Sequence, residues 1–248
     1  MLSAASLAFV IAVFLFAGWV KGVVGMGLPT VAMGALALVM APVEAAALLV
    51  IPSLVTNVWQ FAAGPATRVV LRRLAWMMVC IGLGTALGIR FMLSGSAWPS
   101  IALGSVLAAY ALLALRAPRL HVPRRLEPRL SPPVGFCTGV LAGATGIFAV
   151  PAVPYLSALG LNKDELVQAL GFSFTVSTLA LGLALGSSGR YPQTLLLVSC
   201  AAVLPALVGM FIGQRTRDRI EPVAFRRWFF IAMLAVGVWM VAKGLLAP

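Results

Sequence analysis

Apolar residues run in long stretches along this chain, and charged residues are confined to short links between them. Uncharged runs extend from Ala45 to Thr67, Phe91 to Leu115, Ser131 to Asn162, Leu166 to Gly189 and Tyr191 to Gln214. Each reaches or passes the roughly 20 residues that a helix needs to cross a bilayer. Clear spans are expected near Glu44 to Ala63, Leu74 to Leu93, Trp98 to Leu115, Asp164 to Ser187 and Pro192 to Gly213. No stretch alternates apolar and polar residues in the roughly ten-residue units of a transmembrane barrel strand. The pattern predicts an all-α integral membrane protein.

Composition closes off the soluble alternatives. Of the 248 residues 62% are hydrophobic and 10% charged, with a mean hydropathy of +1.06, whereas a soluble domain carries about 25% charged residues. The net charge of +12 does not point to nucleic acid, because the basic residues sit in links between spans instead of along one solvated face. They form three clusters: Arg68, Arg72 and Arg73; Arg116, Arg119, Arg124, Arg125 and Arg129; and Arg215, Arg217, Arg219, Arg226 and Arg227. Lys and Arg collect in cytoplasmic loops, so all three clusters are expected inside. Lys21 and Lys163 fall toward the same side, leaving Arg90, Arg190 and Lys243 outside.

Crossing parity then constrains the rest. Two spans join the first cluster to the second, and two later spans return the chain to the third. Ser131 to Asn162 must therefore cross an even number of times, as two short spans or one re-entrant hairpin; its 32 residues are too many for one span and too few for two full ones. Met1 to Val43 has the same shape. The chain divides into a first membrane repeat over 1–115, a basic cytoplasmic linker over 116–131 and a second membrane repeat over 132–248. Five segments per repeat is an odd number, so the repeats are expected to be inverted, with both termini on the outer side. Met1 to Val20 lacks a basic start and is expected to stay as a helix. Cys80, Cys137 and Cys200 sit in apolar runs and read as packing residues.

The two halves echo one another. Gly18 and Lys21-Gly22 return 117 positions on as Gly135 and Thr138-Gly139, and at an offset of 120 Glu44 meets Asp164, Ser53 meets Ser173, Asn57 meets Ser177 and Cys80 meets Cys200. Each half holds a glycine-rich break: Lys21-Gly-Val-Val-Gly-Met-Gly-Leu-Pro29, and Gly139-Val-Leu-Ala-Gly-Ala-Thr-Gly146 followed by Pro151 and Pro154. Paired interruptions in corresponding segments mark the substrate site of inverted-repeat transporters. The competing reading is close helix packing through Gly18, Gly22, Gly135, Gly139 and Gly143 at four-residue spacing.

These segments resemble the sulfite exporter TauE/SafE family, also called the toluenesulfonate uptake permeases. The resemblance rests on Ala17 to Pro29, on its echo from Gly135 to Pro151, on Ile51-Pro-Ser-Leu-Val-Thr-Asn-Val-Trp59 and on the plan of two hydrophobic halves around a basic loop. It covers nearly the whole chain. It implies movement of sulfite, sulfonates and related small anions across the cytoplasmic membrane. The second break, Gly143-Ala-Thr-Gly146, departs from the denser glycine run that the family more often has there.

Candidate substrate contacts follow from chemistry. Lys21 is the sole charged residue in the first 43 positions and stands against the first break; at depth it needs a cavity or a partner, whereas near the surface it would snorkel. Free N–H groups near Gly25 and Gly27, and near Gly143, Thr145 and Gly146, are expected to face an anion at mid-membrane. Ser53, Thr56, Asn57 and Gln60 fall on one face of an apolar span, with Ser173, Thr175, Ser177 and Thr178 as counterparts. Such stripes line a path or hydrogen-bond helices together. Glu44, Asp164 and Glu165 read as helix-start residues, and His121 as solvated.

No paired carboxylates, nucleophile with its base, metal ligands, cofactor motif or phosphate loop are visible, so the chain does not read as an enzyme or an ATP-driven pump. The sequence fits a secondary transporter of small anions whose partners are that anion and the lipid bilayer, and it is compatible with a homodimer. The alternatives are a non-transporting membrane subunit or assembly factor, and an ion-coupled importer of small carboxylates. A negative interior repels anions by roughly 2.3 kcal/mol per charge per 100 mV, which favours export without a coupling ion.

Overall fold

The computed structural model describes residues 4–94, 98–116, 121–189, 193–217 and 222–246. Arg119, Arg190, Pro192 and Arg219 lie outside the described residues. Ten α-helices occur among the described residues: α1 (Ala4–Val24), α2 (Leu28–Leu36), α3 (Pro42–Ala62), α4 (Thr67–Met92), α5 (Trp98–Arg116), α6 (Glu127–Thr145), α7 (Ala152–Ala158), α8 (Lys163–Ser187), α9 (Gln193–Thr216) and α10 (Pro222–Leu246). A 3-10 turn, Arg124–Leu126, leads into α6, and no strand is seen among the described residues. Seven helices (α1, α3, α4, α5, α8, α9 and α10) are long and apolar enough to cross a membrane. The chain is a multi-pass membrane protein.

Several boundaries differ from the hydrophobic pattern. Helix α4 begins at Thr67 instead of Leu74, so Arg68, Arg72 and Arg73 are its first turns; arginine is a good helix former and extends a helix beyond the hydrocarbon. The stretch Ser131 to Asn162 holds most of the 19-residue α6 and the seven-residue α7. Helix α6 continues through Gly139 and Gly143 and ends at Gly146, whose φ of 72° closes the last turn. The second break therefore runs from Gly146 to Pro151. The first break runs over Gly25 and Gly27, with φ of 83° and 109°, values that L side chains rarely adopt.

The packing joins helices early in the chain to helices late in it. Contacts pair α1 with α9, α4 with α6, α5 with α10 and α3 with α8, and add α3 to α9 and α4 to α8. Exchanging α1–α5 for α6–α10 maps these pairings onto themselves.

Glycine sets three of the seams. A Cβ on Gly18 or Gly22 would overlap the backbone carbonyls of Ala206 and Met210, and one on Gly209 or Gly213 those of Leu15 and Trp19. The α4–α6 seam repeats the device: Gly84 and Gly88 against Phe136 and Val140, and Gly135, Gly139 and Gly143 against Met77, Ile81 and Thr85. Gly104 and Gly237 face each other's carbonyls between α5 and α10. In lipid no hydrophobic force draws helices together, so such backbone-to-backbone contact supplies van der Waals attraction instead.

Large apolar side chains such as Trp76, Leu83, Leu183, Leu197 and Leu204 point outward, as suits a lipid-facing surface. Cys137 and Cys200 are exposed free thiols on that outer surface, not packing residues, while Cys80 is half-buried.

One ion pair fastens the basic end. Arg73 on α4 donates through Nε to Glu127 Oε2 at 2.8 Å and through Nη2 to Glu127 Oε1 at 2.6 Å, and also to the Leu159 carbonyl at 2.9 Å. Tyr155 and Ser131 share a hydrogen bond of 2.8 Å beside it. This ties α4 to the starts of α6 and the end of α7. Arg73→Met, which leaves the buried Glu127 carboxylate without its partner, is expected to lower stability by about 2 kcal/mol. Thermal unfolding in detergent reads it; an unchanged midpoint would reduce the pair to a surface contact.

Candidate functional site

Helix α3 carries the polar stripe, and its local chemistry begins with a proline. Pro52 has no N–H to give the Leu48 carbonyl, and Ser199 from α9 donates to that oxygen at 2.8 Å. Thr56 Oγ1 donates back to the Pro52 carbonyl at 2.8 Å. Ser53, Thr56 and Asn57 are fully buried, and Gln60, one turn on, is partly so. The face that the spacing predicts is the face that points inward.

Lys21, in the last turn of α1, meets this stripe. Its side chain is only 2% exposed. Nζ donates to Thr56 Oγ1 at 3.2 Å and to Asn57 Oδ1. Asn57 Nδ2 in turn donates to Thr178 Oγ1 of α8 at 3.5 Å. An ammonium has three N–H donors and no acceptor, so one donor is left over. Among the described residues the ion pair is Arg73 with Glu127, and Lys21 has no carboxylate partner. Both groups holding it are neutral.

Lys21 lines a cavity of about 360 Å³. Its walls come from the C-terminal turns of α1, α3 and α9 and the first turns of α8, with Trp59, Gln60, Asp164, Gln168, Gln214 and Arg217 among the lining residues. Gln60 Nε2 donates to the carbonyls of Gly25 at 3.0 Å and Val167 at 2.8 Å, which holds the first break against α8.

Gln168 is a residue that reading the sequence misses. Fully buried, it donates to the carbonyls of Phe61 at 2.8 Å and Gly64 at 3.0 Å and accepts from the Ala66 N–H at 2.8 Å, which satisfies the α3–α4 corner. The available signal was a lone glutamine between a capping box and an apolar run.

The structure gathers Lys21, Thr56, Asn57 and Gln60, with Gly25 beside the cavity. Ser53, Ser173 and Ser177 are buried on α3 and α8, and their hydroxyls have no hydrogen-bond partner among the described residues. Gly27 begins α2 and faces Val20 and Phe229. The second break lies elsewhere: Gly143 packs on α4, Thr145 bonds back to the Leu141 carbonyl at 2.7 Å, and Gly146 lies against Met33 well along α2. Most of α2 separates the two breaks. At Gly146 the chain leaves the C-terminus of α6, so carbonyls and not free N–H groups end the helix there.

The acidic residues at helix starts act as caps. Asn162 Oδ1 accepts from the Glu165 N–H at 2.9 Å, and Glu165 returns the bond to the Asn162 N–H at 3.1 Å; Glu44 accepts from the Ala41 N–H at 3.2 Å. His121 is exposed. No cluster able to hold a metal ion occurs among the described residues.

Lys21 is thus a buried basic group held by an amide oxygen and a hydroxyl, without a carboxylate partner, on the wall of an open cavity. In comparisons with known proteins, no curated protein and no solved structure matches the chain. A family model described as Sulfite exporter TauE/SafE matches residues 10–240.

Proposed function

Because the chain belongs to the sulfite exporter TauE/SafE family, we propose that it is a secondary transporter that carries small sulfur oxyanions, sulfite and short sulfonates among them, out across the cytoplasmic membrane. The observation that carries this reading is Lys21: buried, without a carboxylate partner, and lining the cavity. An anion entering from the basic end, which the charge bias makes the cytoplasmic side, neutralises that ammonium. The anion then competes with Thr56 and Asn57 for its donors.

The set of helix pairings, unchanged when the first five helices are exchanged for the last five, supports two repeats, and the odd number of segments in each together with the charge bias gives them opposite orientation with both termini outside. Alternating access takes place around the α3–α8 crossing, where polar residues of both halves lie. Nothing at the site offers a buried acid to bind a coupling cation, and the membrane potential alone drives anions outward.

Transport by purified protein in proteoliposomes tests the reading. Saturable flux of sulfite and methanesulfonate that speeds up with an imposed inside-negative potential is expected. Folded protein that moves neither these nor sulfate nor acetate would return the chain to the class of non-transporting membrane subunits.

A further inference from the structure

Six buried or partly buried threonines in the helices return their hydroxyls to their own helix. Thr56, Thr85, Thr138, Thr145, Thr175 and Thr178 each donate to the carbonyl four residues back, at 2.6–2.8 Å. Ser53, Ser173 and Ser177 do not. Their oxygens are buried and unpartnered among the described residues, which costs free energy wherever the hydroxyl has nothing to bond.

Their placement is not scattered. Helices α3 and α8 run antiparallel, with Gly171 against Gln60 and Phe61 at one contact and Gly182 against Val50 at the other. Ser53 stands between these contacts on α3, and Ser173 and Ser177 stand between them on α8, one turn apart. The Asn57–Thr178 bond joins the two helices within the same interval and carries the Lys21 group to it.

We propose that Ser53, Ser173 and Ser177 form a second, dry subsite on the anion's path next to Lys21, and that it selects anions bearing three oxygens on one centre over carboxylates. The inference rests on the transport reading above. Each hydroxyl supplies one donor to an oxyanion, and O–H···O⁻ bonds are short and strong in a desolvated site. A sulfonate or sulfite presents three oxygens to three hydroxyls. A planar carboxylate presents two, so two of the three hydroxyls must share one oxygen instead of each taking its own, and a site shaped for three oxygens favours the ligand that supplies the third.

Methanesulfonate and acetate separate the cases, since both carry one negative charge and one methyl group. Competition of each with sulfite flux is measured for the wild type, for S53A/S173A/S177A and for the three single alanine variants. The wild-type preference for methanesulfonate is expected to fall at least about tenfold in the triple variant and about threefold in each single one, with the thermal midpoint held or raised. Preference unchanged in the folded variants, or equal loss of both anions, overturns the proposal; the single variants decide it if the triple variant does not fold. A wild type that transports through Lys21 with a preference independent of the serines sinks this inference alone, whereas a wild type that moves no anion sinks the transport reading with it.

Discussion

Lys21→Met leaves a folded protein whose anion flux falls at least about a hundredfold, a loss equivalent to about 2.7 kcal/mol. Methionine keeps the apolar stem that α1 packs and deletes only the ammonium. The loss is large because nothing nearby replaces the charge. The remaining partners, Thr56 and Asn57, are neutral, and Arg217, another basic residue lining the cavity, is partly exposed, so water and salt screen it. Thr56 keeps its bond to the Pro52 carbonyl, so the variant orphans only the Asn57 oxygen. Arg217→Gln is the matched control: it slows flux a few-fold, and the difference disappears at high salt, as for a steering charge. Wild-type flux in Lys21→Met would remove the site from its place in the cavity.

The second large effect is on folding. Gly139→Val drives side-chain carbons into the Ile81 carbonyl on α4. Neither partner can yield, since both are backbone in the middle of long helices, and the cost is expected to exceed about 3 kcal/mol. Gly82→Val on α4 is the contrast, because nothing lies within 4 Å of the added Cβ. Monodisperse yield and thermal midpoint in detergent read both. Equal yields would mean that the α4–α6 seam is looser than its backbone contacts require.

How much of this was legible beforehand differs from residue to residue. The stripe from Ser53 to Gln60 was, because helical periodicity fixes a face whatever surrounds it, and a polar face on an apolar helix must turn inward. The Asn162–Glu165 cap was as well, since both partners lie within one turn. The length of α4 was not, because a cluster of charge marks the edge of the hydrocarbon and not the end of the helix, and Arg68, Arg72 and Arg73 continue it. Long-range partners were also hidden. Arg73 finds Glu127 54 residues away, and Gln168 finds the α3–α4 corner more than 100 residues away, pairings that no local pattern encodes. The glycines show the limit most sharply. One spacing of four serves both a broken segment and a packed seam, and only the neighbours of Gly139 and Gly143 tell which.

Those seams carry a mechanical consequence. The three glycine-locked pairs, α1 with α9, α4 with α6 and α5 with α10, each bind a helix from the first half of the chain to one from the second. Moving one half against the other would have to shear all three backbone contacts together. Separating the halves is therefore opposed at all three seams, and the α3–α8 contact, where Gly171 also meets the Gln60 and Phe61 backbone, adds hydroxyls and glutamines to the same kind of packing. In this protein the two halves of the chain are not two separately packed bodies.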